Sequence, residues 1–218
     1  MNQEKPEILC IASCSIGLEA LLLDELRELG AINLKETISA VAFTGTLEVA
    51  YRCCLWSRLA NRILYVVKFF SITSVDELYQ NTFNIAWEQH FSPNESFSVD
   101  FRGTNKFLDN SLFGARRIKD AVVDRFKIML GRRPSVDTKT PKLRLNVRLN
   151  KNRVQLSIDL AGESLHRRGY RLASGPAPLK ENLAAALLLR SGWPEISMRG
   201  GGLIDPMCGG GTFLIEAA

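Results

Sequence analysis

The chain has 218 residues, 46% of them hydrophobic and 23% charged, and a formal net charge of +5. That is enough for one large or two small domains with buried cores, and it excludes wholesale disorder. No apolar run approaches the ~20 residues of a membrane-spanning helix, and MNQEKPE at the start is no secretory signal. The five cysteines form no paired framework. A reduced, soluble, cytoplasmic protein is therefore expected.

Residues 8–14 (ILCIASC) form a strand-like run in which Cys10 and Cys14 share a core face. Leu18, Leu22, Leu26 and Leu29 then recur at helical spacing, with Gly30 placed as a left-handed cap. Two short strands follow, Ile32–Lys35 and Ala40–Thr44, then a helix in LEVAYRCCLWSRLA (47–60) and a buried strand in ILYVVKFF (63–70). The order βαββαβ is solved most economically by one sheet with two helices on one face, a ferredoxin-like domain over residues 1–70.

A second unit starts at Ser74, where Ser74-x-x-Glu77 has the form of a capping box. Phe97, Val99 and Phe101 alternate with polar residues, as in a half-buried strand. Residues 111–130 are helical, with Ala115, Ile118, Val122, Phe126 and Met129 as the apolar stripe and Gly131 as terminator. The clearest period-2 signal is LRLNVRL (143–149), repeated in Val154, Leu156, Ile158 and Leu160 after an Asn-Lys-Asn turn. These predict an antiparallel hairpin with a partly basic outer face, and close an α/β domain over 71–160.

Residues 161–179 lack any period and read as a connector. Pro178 introduces a short helix in KENLAAALLLRSG, ending at Gly192, and a loop with Trp193 and Pro194 follows. In LIDPMCGGGTFLIEAA (203–218), Leu203–Ile204 should end a strand. Gly209, Gly210 and Gly211 should turn with φ > 0, and Thr212 should begin a helix. Three glycines alone fit a plain tight turn as well as a ligand loop.

Charge is segregated. Phe101 to Arg171 holds 18 Lys+Arg against 6 Asp+Glu, an excess of +12, which leaves −7 for the rest. Concentrated arginine points to a polyanionic partner. Candidates for phosphate contact are Arg102, Lys106, Arg116, Arg117, Arg132, Arg133, Arg144, Arg148, Lys151 and Arg153, with Arg167 and Arg168 in the connector. His90 and His166 lie near no CxxC, so no metal site is expected. His90 has no visible partner, and His166 reads as a polar or RNA contact. Trp56, Trp87 and Trp193 read as packing residues, and Cys53–Cys54 as one buried and one half-exposed thiol.

DPMCGGGTFLIEAA closely resembles the first S-adenosylmethionine motif of THUMP-containing RNA methyltransferases, with Gly210 where a serine is common. APLKENLAAALL (177–188), LHRRGYR (165–171), RRIKDAVVDRF (116–126) and LEVAYRCCLWSRLANRILYVV (47–67) resemble other segments of that family in the same order. The resemblance implies an α+β chain: ferredoxin-like domain, THUMP domain, connector, and from residue 180 the first strand, turn and helix of a truncated Rossmann-like methyltransferase domain. It implies that Asp205, Pro206, Gly209, Gly211 and Thr212 contribute to the S-adenosylmethionine pocket, flanked by Lys180, Glu181 and Asn182. The family's catalytic Asn-Pro-Pro-Tyr motif does not occur in these residues, so no catalytic residue is assigned here. The nearest branch methylates guanine N2 in large-subunit (23S) ribosomal RNA, and its members are often named N6-adenine-specific DNA methylases. This fragment is then expected to bind structured RNA without catalysing methyl transfer. The alternatives are a DNA adenine methylase and a THUMP module serving thiolation or pseudouridylation.

Overall fold

The structure is a computed structural model that describes residues 6–170 and 178–218. The expectations for the first five residues and for connector residues 171–177 lie outside the described residues. The described chain forms two compact units, Met1–Ile63 with Glu163–Ala218, and Leu64–Gly162.

The first unit begins with β1 (Ile8–Ser13), α1 (Glu19–Glu28), β2 (Ile32–Thr37), β3 (Ala40–Gly45) and α2 (Leu47–Trp56), and β4 (Arg62–Ser71) starts here and continues in the second unit. β3 pairs antiparallel with β1 and with β2. Cys10 lies opposite Phe43 and Ala12 opposite Val41. All four are buried with Leu22 and Leu26 of α1 and Ala50 and Cys53 of α2, giving the expected ferredoxin-like core. Gly30, at φ 93°, donates its N–H to the Arg27 carbonyl while Ala31 donates to Leu26. This left-handed cap satisfies the last carbonyls of α1. α2 is shorter than its sequence pattern suggests. Its Ser57 Oγ donates to the Glu25 carboxylate over 2.5 Å and the Arg58 N–H over 2.7 Å, so α1 captures the chain as it leaves the helix. Burial pushes the Glu25 carboxyl above the usual carboxylate range despite those donors.

The same unit holds α5 (Glu181–Arg190), α6 (Trp193–Met198) and α7 (Thr212–Ala217). α5 ends before Gly192 as expected, but Trp193 and Pro194 open a helix rather than a loop, because proline suits a first helical turn. The expected strand at Leu203–Ile204 is not formed. Those residues are irregular and Ile204 is 90% exposed. A strand needs neighbours for its backbone groups, and none pairs with this segment among the described residues.

In the second unit α3 (Val75–Phe83), β5 (Phe97–Arg102), α4 (Ser111–Leu130), β6 (Leu143–Asn150) and β7 (Arg153–Asp159) follow β4. The strand order is β4-β7-β6-β5, with β5 parallel to β6 and the other pairs antiparallel. One face of this sheet and the helices make a continuous core of Phe97, Phe101, Leu145, Val147, Leu156, Ile118, Val122 and Phe126. Phe91 and Phe126 meet with ring centroids 4.9 Å apart. Trp87 is fully buried and donates its indole N–H to the Thr82 carbonyl. His90 does have partners: its ring lies 5.9 Å from those of Tyr65 and Trp87, and burial lowers its pKa.

The caps differ in detail from the sequence reading. Ser74 accepts from the Glu77 N–H, but the Glu77 carboxylate reaches back to Thr73 instead of Ser74. Asn110 caps α4 by accepting from Leu112 and Phe113, and Gly131 ends it at φ 64°. Met129 of the expected stripe is exposed, and Ala121 and Val123 are buried in addition to the stripe's centre. Two glycines are required by space. A Cβ on Gly114 would lie 2.8 Å from Leu108 and 3.0 Å from the Phe101 ring, and one on Gly103 (φ 100°) would lie 2.0 Å from the Leu149 carbonyl oxygen.

Two outcomes are expected. Gly114→Ala should lower stability by about 1–3 kcal/mol through overpacking. Gly103→Ala should lower it further, since backbone is struck and φ is strained, as read by denaturant melts. Burial pushes the thiols of Cys10 and Cys53 up to about 12 and that of Cys14 to about 11. Because the thiolate is the nucleophile, iodoacetamide at pH 8 should modify exposed Cys208 and spare these three until the chain unfolds. Equal labelling of all four in the folded chain would contradict the core described above.

Candidate functional site

Alternation along the second unit's sheet sends every apolar side chain of β6 toward the helices, so its polar partners occupy the other face. The registers place them in rows. Arg102 of β5 lies opposite Arg148 of β6, Arg148 opposite Gln155 of β7, and Gln155 opposite Phe69 of β4. Arg153 sits two residues before Gln155, on the same face, opposite Ser71. The side chain of Arg102 is 72% exposed and Phe69 is 54% exposed.

This end of the sheet is closed by a loop that Gly103 permits. The Asn105 side chain donates to the Lys151 carbonyl over 2.8 Å, tying the segment after β5 to the β6–β7 hairpin. Lys106 lies over the Phe107 ring at 4.7 Å, and Lys151 turns the hairpin with φ 54°. Arg102, Lys106, Arg148, Lys151 and Arg153 thus gather at one end of the sheet, and all are exposed. Asp100 faces Arg102 at 3.3 Å. Among the described residues no carboxylate pairs with Arg148, Lys151 or Arg153.

The other basic candidates lie elsewhere. Arg144 sits farther along the same face and donates to the Lys139 carbonyl. Arg116 and Arg117 are on α4, on the helical side. There Arg117 donates to Asp76 over 3.1 Å and stacks on Tyr79 at 4.8 Å. Arg132 and Arg133 are exposed just past the end of α4, and Arg167 is exposed in the connector. Arg168 is engaged inside the first unit: one guanidinium nitrogen lies 2.9 Å from Glu216 and another donates to the Arg58 carbonyl.

The glycine loop belongs to the first unit. Gly209 and Gly211 take φ of 52° and 72°, whereas Gly210 does not enter the left-handed region, and Gly211 leads into Thr212 at the start of α7 as expected. Asp205 Oδ1 accepts the Met207 N–H in a local turn, and Pro206 is exposed. Thr212 is buried. Apart from the adjoining residues, no atom of the described residues lies within 4 Å of a Cβ built on Gly210 or Gly211, so the loop is open to close approach by a ligand on that side. Glu181 and Asn182 are buried at the start of α5, which packs on α7, while Lys180 is exposed. Asn182 donates to the Leu59 carbonyl and the Asn61 side chain.

Glu216 of α7, not singled out by the sequence, holds this segment in place. Its carboxylate is 2% exposed and meets Arg168, Arg58 at 3.4 Å and the Tyr170 hydroxyl at 3.0 Å. A buried carboxylate requires such partners. Trp193 donates its indole N–H to the Ala217 carbonyl, so it packs as expected, but Trp56 is 65% exposed. His166 is hydrogen-bonded to Ser164 within its own connector. Phe69 was hidden because ILYVVKFF is apolar at both parities, which masks which residues face out.

Three family models match in series: the RlmL ferredoxin-like domain over residues 10–64, the THUMP domain over 73–159, and the RMKL-like methyltransferase domain over 168–218. The chain is 55% identical to a Ribosomal RNA large subunit methyltransferase K/L of Cellvibrio japonicus over 95% of its own length and 28% of the relative's. Against the Pseudomonas aeruginosa protein of the same name it is 50% identical over 94% and 28%. It spans less than a third of these relatives. Among solved structures it is similar to a predicted N6-adenine-specific DNA methylase from Listeria monocytogenes, with TM-score 0.84 and 35% identity over 97% of this chain and 55% of that one. SMU.472, solved in complex with SAH, gives TM-score 0.81 and 33% identity over 98% and 55%. The chain thus matches, in order, a ferredoxin-like domain, a THUMP domain and the opening of a methyltransferase domain, the arrangement that its sequence motifs led us to expect.

Proposed function

We propose that this chain is the RNA-binding part of an S-adenosylmethionine-dependent methyltransferase that modifies guanine N2 in large-subunit (23S) ribosomal RNA in the cytoplasm. The observation that carries the RNA-binding reading is the convergence of Arg102, Lys106, Arg148, Lys151 and Arg153 at one end of the THUMP sheet. Rows of in-register guanidinium groups on a rigid sheet suit a phosphate backbone. The substrate class is supported by the names of the curated relatives, which act on large-subunit ribosomal RNA.

The glycine loop supports the cofactor reading. Asp205, Pro206, Gly209, Gly211 and Thr212 would line one side of bound S-adenosylmethionine, with Lys180, Glu181 and Asn182 nearby on α5. The cofactor would supply an electrophilic methyl group to the acceptor amine. Methyl transfer also needs that amine held in line with the methyl, and such positioning is worth several kcal/mol of barrier. The motif expected to do this is absent from these 218 residues. Mutation of Gly209 or Gly211 to valine should weaken cofactor binding to the whole enzyme, because φ of 52° and 72° strains any β-branched residue.

A second reading, DNA adenine methylation, draws on the name of the Listeria neighbour. Competition decides between them: unlabelled ribosomal RNA should displace a bound RNA probe at concentrations where duplex DNA of equal length does not.

If about five phosphates are neutralised, log K should fall with log[salt] at a slope near −3.5 for single strands or −4.5 for duplex. Replacing Arg148, Lys151 or Arg153 by alanine should reduce the slope by about 1 each. A flat salt response would reject the electrostatic site. The purified chain, supplied with S-adenosylmethionine and unmodified ribosomal RNA, should transfer no methyl group, and measurable turnover would sink that part of the reading.

A further inference from the structure

We propose that the exposed end of the four-stranded sheet, on the face away from α4, is a ledge for unpaired RNA, with a base stacked on Phe69 and the backbone held by Arg148 and Arg102. The inference deepens the RNA-binding reading above and rests on it. It specifies the form of RNA that the sheet takes and adds a residue that charge alone does not identify.

Four observations carry it. Phe69 is 54% exposed near the C-terminal end of β4, where the next residue, Phe70, packs against the core cluster. More than half of this residue is therefore open to a ligand. Its cross-strand row continues through Gln155 to Arg148 and Arg102. Adjacent strands are spaced ~4.8 Å apart, so the two guanidinium groups lie about two and three strand widths from the ring. Finally, Arg153 is a diagonal neighbour of Phe69, and Gln155 is held by its own Nε2, which donates to Ser157. The row therefore reads aromatic, amide, cation, cation across a rigid surface.

That sequence of groups suits a single strand and not a duplex. Stacked duplex bases present only their edges and phosphates, so the ring would find no base face. An unpaired strand offers a base face to the phenyl ring, base edges to the Gln155 amide, and phosphates to the arginines beyond it. The opposite face of the same sheet carries the core packed by α4, and on the ledge's own face Ser98, Ser157 and Asp159 are buried, so the ledge is confined to the end where Arg102, Arg148, Arg153 and Phe69 are exposed. The ring, the amide and the cations come from β4, β7, β6 and β5, whose registers fix their spacing, and little ordering remains to be done on binding.

The test compares fluorescence anisotropy of the 218-residue chain with labelled oligouridine and with a labelled blunt RNA duplex of equal phosphate count. Phe69→Leu, which keeps an apolar side chain but removes the ring, should weaken oligouridine binding by about 5- to 100-fold. It should leave duplex binding within about 2-fold, since duplex affinity rests on phosphates. Phe69→Tyr should retain oligouridine affinity, and melting curves should show all variants folded. Arg148→Ala with Arg102→Ala should weaken both probes and lower both salt slopes. If the parent chain binds neither RNA, the RNA-binding reading itself fails. If it binds both with a steep salt slope and Phe69→Leu changes neither, the ledge alone is overturned. Unchanged RNA binding with a lost dimer in sedimentation of Phe69→Leu would assign the face to a second copy and overturn it equally.

Discussion

The parallel pairing of β5 with β6 is the constraint on which the second unit depends. It sets Phe101 beside Val147 on the core face and Arg102 beside Arg148 on the other. A slip of one residue would exchange these sets, exposing the core and burying the cations. The register is enforced by the helical side, where Phe101 meets Gly114 of α4 too closely for any side chain there. Gly103 acts at the end of the same strand, letting the chain pass against the Leu149 carbonyl and return Asn105 to the hairpin turn. Packing on one face thereby dictates where charge stands on the other.

Much of this was legible in the sequence because the physics there is local. LRLNVRL alternates without exception, and a period of two with arginine and asparagine at the polar positions admits one reading. α4 was visible in extent, since its length, the centre of its stripe and Gly131 agree. What could not be read depends on neighbours distant in sequence. Phe69 lies in a run apolar at both parities, and only pairing with β7 reveals its outward direction. Leu203–Ile204 has strand composition but forms no strand, because composition cannot supply a partner. Trp56 and Met129 were placed inside by residue type and are outside by geometry.

The first unit illustrates a different limit. Asp205, Gly209, Gly211 and Thr212 drew notice as a cofactor motif, yet the group that fixes their helix is Glu216. A carboxylate inside an apolar helical stretch gave no clue to its partners. These prove to be Arg58, Arg168 and Tyr170, from two segments far away in sequence. Arg168 shows the converse: grouped with phosphate-binding candidates by charge, it is held by an internal acid. Counting positive charge identifies a segment, but only geometry separates cations that face outward from cations already engaged.

The most direct test of the central claim is to ask where RNA touches the chain. Ultraviolet cross-linking of ribosomal RNA to the 218-residue chain, followed by mass spectrometry, resolves contacts by peptide. The account predicts cross-links in the segments around 66–71, 102–107 and 148–155, which form the basic end of the sheet. Cross-links confined to Arg116–Arg117 on α4 or to Arg132–Arg133 beyond it would contradict that account and move the interface to the helical face.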